Sequence, residues 1–273
     1  MTKYKLLATD MDGTLLDKQK KISERNQQAI HAAKQAGVKI VLASGRPLEG
    51  LQPYLKQLGL LDEEDYVLCF NGALVQRSDG KIITRQEMSG KDCKMLTDYA
   101  QKFGVFCHTF SESRGLIAPQ ENQYSRHDAE INHIPLHIID FSQIPDEEPV
   151  IKTMWVDTPE KLDAALAKLP ENIAKQYTVV RSTPFFLEFL PLAANKGSGV
   201  EKLAQHLGFT ADEIICIGDA GNDLHMIEYA GLGVAMGNAT DEIKAIADYV
   251  TADNLHSGVA EVIEKFILNQ EGK

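Results

Sequence analysis

Cysteine is scarce in this 273-residue chain: four occur, Cys69, Cys93, Cys107 and Cys216, with no C-x-x-C pair. So few cannot staple a chain of this length, and reduced thiols in a cytoplasmic protein are the expectation. Tryptophan occurs once, and basic residues are outnumbered, 28 Lys and Arg against 39 Asp and Glu, for a formal net charge of -11. An acidic chain repels the phosphate backbone that supplies most nucleic-acid affinity, so neither nucleic acid nor an anionic membrane surface is expected as a partner. No uninterrupted apolar run approaches the ~18 residues of a membrane helix. The lysine-flanked apolar run near the start is broken by Asp10 and Asp12 before any small-residue cleavage site, which argues against a signal peptide. Internal repeats, low-complexity tracts and the G-x-x-x-x-G-K-[ST] phosphate loop are also missing. What remains is an ordinary globular composition, 44% hydrophobic and 25% charged, sufficient for a large buried core.

The hydrophobic pattern supplies the architecture. Leu6 to Thr9 is a short apolar run, followed by a helical stretch from Ser23 to Gly37. Val38 to Ala43 is β-branched and nearly continuous, as a parallel strand covered on both faces should be. Pro47 suits the start of a helix ending near Gly59, and Val67 to Phe70 reads as a third strand. This alternation predicts an α/β fold with a doubly wound parallel sheet, whose ligand crevice lies at the strand C-terminal ends. From Leu74 the rhythm changes, and Asp79-Gly80 marks a hairpin. The next hundred residues hold helical stretches near Lys91 to Lys102 and Glu160 to Leu169, with strands at Thr153 to Val156 and Tyr177 to Val180. Alternation then resumes: helix Lys196 to Leu207, strand Ile214 to Ile217, helix Asn222 to Tyr229, strand Gly233 to Met236 and helices near Asp241 and Val259. The simplest organisation is a split Rossmann-like core, residues 1–84 and 190–273, interrupted by an α+β domain over 85–189.

Chemistry-bearing residues collect where that crevice is predicted. Asp10-Met11-Asp12-Gly13-Thr14 follows the first strand and sets two carboxylates in one turn, an arrangement that a cation relieves. Mg²⁺ takes oxygen ligands and is held by one or two carboxylates plus a substrate phosphate. A solvated Asp-Gly turn accounts for the same residues equally well when they are taken alone. Ser44-Gly45-Arg46 follows the second strand, offering a hydroxyl and unhindered backbone N–H groups to phosphate oxygens. Asn71-Gly72 after the third strand carries a similar but weaker signal. Lys196 at a helix start brings a point cation for phosphate charge, although lysines near helix ends are usually just solvated. In Gly218-Asp219-Ala220-Gly221-Asn222-Asp223, Asp219 completes a set of three aspartates, whereas Asp223 serves equally well as a helix cap. His108, Arg114, His133 and His137 lie in the inserted region, and Pro135 argues against a helical metal pair for the last two. None of the four enters the site.

The ordered set Asp10-Met11-Asp12-Gly13-Thr14, Ser44-Gly45-Arg46, Lys196-Gly197 and Gly218-Asp219-Ala220-Gly221-Asn222-Asp223 resembles the four motifs of the haloacid dehalogenase (HAD) superfamily. The place of the insert and Asn71-Gly72-Ala73 are similar to its Cof-type branch, whose large α/β cap domain is inserted at this point; the likeness extends over the whole chain to bacterial sugar phosphatases. The resemblance implies a cytoplasmic, Mg²⁺-dependent phosphatase acting on small phosphate monoesters, with sugar phosphates as the class, through an aspartyl-phosphate on Asp10. It implies Asp12 as acid and base, and metal ligation by the Asp10 and Asp219 carboxylates and the Asp12 backbone carbonyl. Ser44, Lys196, Asn222 and the Met11 and Gly45 backbone N–H groups would hold phosphate. Arg46, Asn71, Gly72 and Asp223 would stand behind them or meet the substrate, and the cap would close over the leaving group. Two alternatives stay open: a phosphomutase or phosphotransferase using the same aspartyl-phosphate, and a non-catalytic protein that binds a phosphorylated ligand.

Overall fold

A computed structural model describes residues 3–269. The chain divides into two compact units, Met1–Thr84 with Asn195–Lys273, and the intervening Arg85–Ala194.

The first segment opens with β1 (Leu6–Asp10), buried along its whole length as a central parallel strand must be. Ser23 caps α1 (Glu24–Gln35), its hydroxyl accepting from Asn26 N at 3.2 Å. Buried Asn26, Ala29, Ile30 and Ala33 recur at helical spacing along α1. Next come β2 (Lys39–Ala43) and α2 (Leu48–Leu58), which ends at the left-handed Gly59. β3 (Tyr66–Cys69) stops short of Phe70, because Phe70, Asn71 and Gly72 all take positive φ and cannot extend a strand. β4 (Leu74–Arg77) and β5 (Ile82–Arg85) flank the expected hairpin turn, in which Gly80 N donates to Arg77 O at 2.9 Å.

The intervening unit contains β6 (Met88–Ser89), α3 (Gly90–Phe103), β7 (Phe106–Ser111), β8 (Gly115–Ala118), α4 (Gln123–Asn132) and β9 (Leu136–Ile138). It continues with β10 (Pro149–Val156), α5 (Pro159–Leu166), α6 (Glu171–Ala174), β11 (Tyr177–Thr183) and β12 (Phe186–Pro191). Its sheet runs β11-β12-β10-β7-β8-β9, with β6 on β10. The β11, β12, β10, β7 and β8 pairings are antiparallel, as an α+β unit requires, and β9 lies parallel to β8. Trp155 anchors the core of this unit: its ring stands 4.7 Å from that of Phe189, and its Nε1 donates to Leu96 O at 3.0 Å.

The chain then forms α7 (Lys196–Leu207), β13 (Ile214–Gly218), α8 (Leu224–Tyr229), β14 (Leu232–Ala235), α9 (Asp241–Ile246), β15 (Tyr249–Val250) and α10 (Gly258–Ile263). α8 starts later than the sequence suggests, since Gly221–Asp223 forms a 3₁₀ turn. The sheet order is β15-β14-β13-β1-β2-β3-β4-β5. β15 through β3 are parallel and β4 is antiparallel to β3. β1 lies in register between halves far apart in sequence, with Leu6 opposite both Ile214 and Lys39. Connections leave β1 toward β2 on one side, while the returning chain builds β13 and β14 on the other, which makes the β1 terminus the topological switch point. Among the described residues no helix is long and apolar enough to cross a membrane.

Candidate active site

The parallel strands deliver their C-terminal ends to one edge of the sheet, and Asp10 closes β1 there. Its carboxylate is buried and accepts an ion-paired hydrogen bond from Lys196 Nζ. Lys196 is the first residue of α7, whose N-cap Asn195 accepts from Ser198 N at 2.8 Å and donates its own N–H back to Ser198 Oγ. That reciprocal cap fixes the helix start and sends the lysine inward, where it is 0% exposed. The solvated lysine considered from sequence is therefore absent. Nζ also lies 2.7 Å from Asp223 Oδ1. Burial alone would lower the ammonium pKa, but the Asp10 and Asp223 charges outweigh it and hold the group above its ordinary value.

Asp223 caps a turn, one of the two readings the sequence left open, and also meets Lys196. Its Oδ2 accepts from Asp219 N at 2.9 Å and Ala220 N at 3.1 Å, capping the turn after β13, while Oδ1 meets Lys196. Asp219 leans against Gly13: a Cβ there would stand 2.4 Å from Asp219 Oδ2, and Gly13 has φ +92°, so both space and backbone demand glycine. Thr14 Oγ1 donates to Asp219 Oδ1 at 2.9 Å.

Asp10, Asp219 and Asp223 offer carboxylate oxygens within 4.8 Å of one another. Three acids share one buried lysine, which leaves surplus negative charge. Burial raises Asp10 well above its ordinary range; Lys196 opposes this, and Asp223 and Asp219 add to it. Burial likewise lifts Asp219 to about 6, against the pull of the Thr14 hydrogen bond and with Asp223 adding to it. An all-oxygen donor set with excess negative charge fits a hard divalent cation.

Asp12 faces elsewhere. Its carboxylate receives Arg46 Nη2 at 2.9 Å on both oxygens and Lys20 Nζ at 2.5 Å, and it does not belong to the three-carboxylate cluster. Burial would raise its pKa, yet Arg46 and Lys20 hold it below the ordinary value. Arg46 itself lies over the Tyr54 ring at 5.7 Å. Ser44 is buried, its N–H tied to Leu68 O at 3.0 Å and its Oγ accepting from Arg46 N at 3.2 Å. Asn222 Nδ2 donates to Asn71 Oδ1 at 3.3 Å, joining the turns after β13 and β3. Gly72 has φ +84°, and a Cβ on it would stand 2.3 Å from Asn195 O, so the α7 cap packs directly on this turn. Met11 is fully buried, and its carbonyl accepts from Leu16 N at 2.8 Å.

The structure thus gathers Asp10, Lys196, Asp219 and Asp223 into one cluster, with Asp12–Arg46 and Asn71–Asn222 as neighbouring pairs. Sequence reasoning overlooked Lys20, whose positive φ is exceptional for a lysine, and gave no role to Thr14 or to Asn238, which donates to Gly13 O at 2.8 Å. Only Thr14, lying inside a motif, carried a signal. In the other unit, His108 is buried, bonding Ser125 Oγ at 2.8 Å and approaching Asp128 at 3.1 Å, while His133 ends α4 and His137 lies in β9.

Comparison with known proteins agrees with this geometry. The sequence profile of the haloacid dehalogenase-like hydrolases matches residues 7–263, and the chain belongs to that family. It is 41% identical over 268 residues, 97% of this chain and 99% of the other, to a Bacillus subtilis (strain 168) protein named "Putative phosphatase YxeH". Among solved structures, a haloacid dehalogenase-like hydrolase from Bacteroides thetaiotaomicron superposes with TM-score 0.86 at 32% identity, covering 96% of this chain and 98% of that one. A sugar phosphatase of HAD subclass IIB superposes with TM-score 0.79 at 27% identity, again over 96% and 98%. The α/β fold read from the strand–helix alternation and the hydrolase class implied by the four motifs both hold.

Proposed function

We propose that this hydrolase is a Mg²⁺-dependent phosphatase of small phosphate monoesters, with sugar phosphates as its substrate class and Asp10 as nucleophile. The observation that carries the reading is the Asp10 carboxylate at the end of β1, held by a fully buried Lys196 that it shares with Asp223, with Asp219 alongside. Solvated acids in a turn have no need of a buried counter-ion. The sugar preference rests on the likeness to the subclass IIB sugar phosphatase.

Asp10 and Asp219, with the Asp12 backbone carbonyl, would hold Mg²⁺, and Asp223 lies close enough to join or orient them. When bound, the ion offsets the surplus carboxylate charge, favours ionised Asp10 and attracts a phosphoryl oxygen. Lys196, Ser44 Oγ, Asn222 Nδ2 and the Met11 and Gly45 N–H groups bind the phosphoryl oxygens, as charge-assisted donors do at phosphoryl-transfer sites. An Asp10 oxygen attacks phosphorus; the P–O bond to the alcohol breaks and the leaving oxygen takes a proton from Asp12. Water then attacks the aspartyl-phosphate at phosphorus, giving its proton to Asp12, and the bond to Asp10 breaks to release inorganic phosphate. In the free protein Arg46 and Lys20 hold Asp12 ionised, so its service as an acid requires separation from them once the ester arrives.

The test is phosphate release from a panel of phosphate monoesters with Mg²⁺ or with EDTA, for the native protein and Asp10→Asn. Release should need the metal and vanish in Asp10→Asn. Isomerisation without net phosphate release would instead identify a mutase, and phosphate binding without turnover a ligand-binding protein.

A further inference from the structure

The turn between β14 and α9, Met236-Gly237-Asn238-Ala239-Thr240, contains no acid, yet it touches both segments that carry the candidate cation ligands. Asn238 Nδ2 donates to Gly13 O at 2.8 Å, the carbonyl one residue beyond Asp12. Two residues later Thr240 N donates to Asp219 O at 3.1 Å, and its Oγ1 accepts from Ile243 N at 3.4 Å at the start of α9. The turn is itself seated on the chain that follows β15. Gly237 N donates to Ala252 O at 3.2 Å, a Cβ on Gly237 would stand 2.9 Å from Asp253 N, and Asn254 N donates to Asn238 Oδ1 at 3.0 Å. Asn254 Nδ2 then donates to Leu16 O at 2.8 Å, which ties the loop after β1 at a second point.

Asn238 thus holds the Gly13 carbonyl while Asp219 packs against the same glycine and accepts from Thr14 next to it. The carboxylates of Asp10, Asp219 and Asp223 repel one another, and the residues after Asp10 lie beyond the ladder that pairs β1 with β2 and β13. Bonds from the β14–α9 turn resist that spreading. A small ion depends on such resistance more than a large one. Mg²⁺ demands near-ideal octahedral geometry at about 2.0–2.1 Å, whereas Ca²⁺ accepts six to eight oxygens at about 2.3–2.6 Å in a flexible arrangement. Groups behind the ligands set this geometry in metal sites generally. We propose that Asn238 is a positioning residue of the cation site, fixing the spacing between the Asp12 carbonyl and the Asp219 carboxylate and so giving the site a preference for Mg²⁺ over Ca²⁺; this rests on the Mg²⁺-dependent phosphatase reading above.

Calorimetric titration of Mg²⁺, and separately of Ca²⁺, into the metal-free protein tests this without turnover. Asn238→Ala removes the donor to Gly13. Asn238→Ser, whose hydroxyl is too short to reach, is measured in parallel so that the outcome does not hang on one variant; Asn238 is exposed, so neither change opens the core. Both variants should bind Mg²⁺ about five- to tenfold more weakly, the effect of one hydrogen bond lost behind a metal ligand. Ca²⁺ affinity should fall by about twofold or less, because its coordination tolerates the looser spacing. Native Mg²⁺ affinity in the variants overturns the proposal. An equal loss for both ions overturns it too, since that is what general loosening of the fold would give. A native protein that binds Mg²⁺ with this dependence on Asn238 but shows no Asp10-dependent release from esters would overturn the phosphatase reading and leave the positioning role standing. Asp10-dependent release by the native protein, with the native Mg²⁺ to Ca²⁺ ratio kept in both variants, would do the reverse.

Discussion

Asp219→Asn should make the metal-free protein more stable at neutral pH. A carboxyl held at about 6 in the fold, against an ordinary 3.8, is disfavoured as an anion by at most about 3 kcal/mol. Solvent at its open edge screens part of this, so about 1–2 kcal/mol is the expected gain. Asparagine keeps the Thr14 hydrogen bond, because its Oδ1 can still accept, and it removes the charge. The folded chain binds this proton more tightly than the unfolded chain. The stabilising contribution is therefore complete below pH 3.8 and lost as pH rises through about 6. The assay is urea unfolding in EDTA at pH 4 and 7.5, repeated with Mg²⁺. The variant should match the native protein at pH 4, exceed it at pH 7.5, and fall below it once Mg²⁺ is supplied, because it then lacks a ligand. A variant less stable than the native protein in EDTA at pH 7.5 would show that Asp219 is stabilising as an anion, and the argument for surplus charge would fail.

Lys196→Met removes the only cation bonded to Asp10 and Asp223 among the described residues, and should lower unfolding free energy by about 3–5 kcal/mol while abolishing phosphate release; an undiminished urea midpoint would contradict it. Gly13→Ala drives a Cβ into Asp219 at a left-handed backbone position, and should weaken Mg²⁺ affinity by about tenfold or more in a calorimetric titration. Equal affinity would mean that Asp219 does not hold the ion. Lys20→Met removes one of the two cations that keep Asp12 ionised, so the Asp12 carboxyl should rise and the corresponding limb of the kcat/KM profile should move to higher pH. A profile that stays in place or moves down would detach Lys20 from Asp12.

The core was legible because its strands are continuous apolar runs and its chemistry follows each strand directly. Leu6 to Thr9 and Val38 to Ala43 reappear almost unchanged in β1 and β2, and the helix Lys196–Leu207 has the bounds read from the returning alternation. The intervening unit was harder to read. α4 buries Ser125, Asp128, Ala129 and Asn132, so its inward face is mostly polar and shows no hydrophobic period. β7 is buried through His108, Thr109 and Ser111, residues that look like a surface strand in the sequence. Within the site, the sequence supplied the acids but not their pairing. That Lys196 would be buried between two aspartates, and that Asp12 would turn to Arg46 and Lys20, depends on contacts between elements far apart in the chain.

The central position of β1 has a consequence during synthesis. Leu6–Asp10 can pair with Lys39–Ala43 as soon as both have left the ribosome, but its other edge waits for Ile214–Gly218. Meanwhile Arg85–Ala194 emerges as a continuous piece with a core of its own. The nascent chain therefore carries an open, apolar strand edge at its most buried position, a natural point for chaperone engagement or for mispairing between copies. It also carries Asp10 without Lys196, Asp219 or Asp223, so the candidate chemistry is assembled only once the chain through Asp223 has emerged.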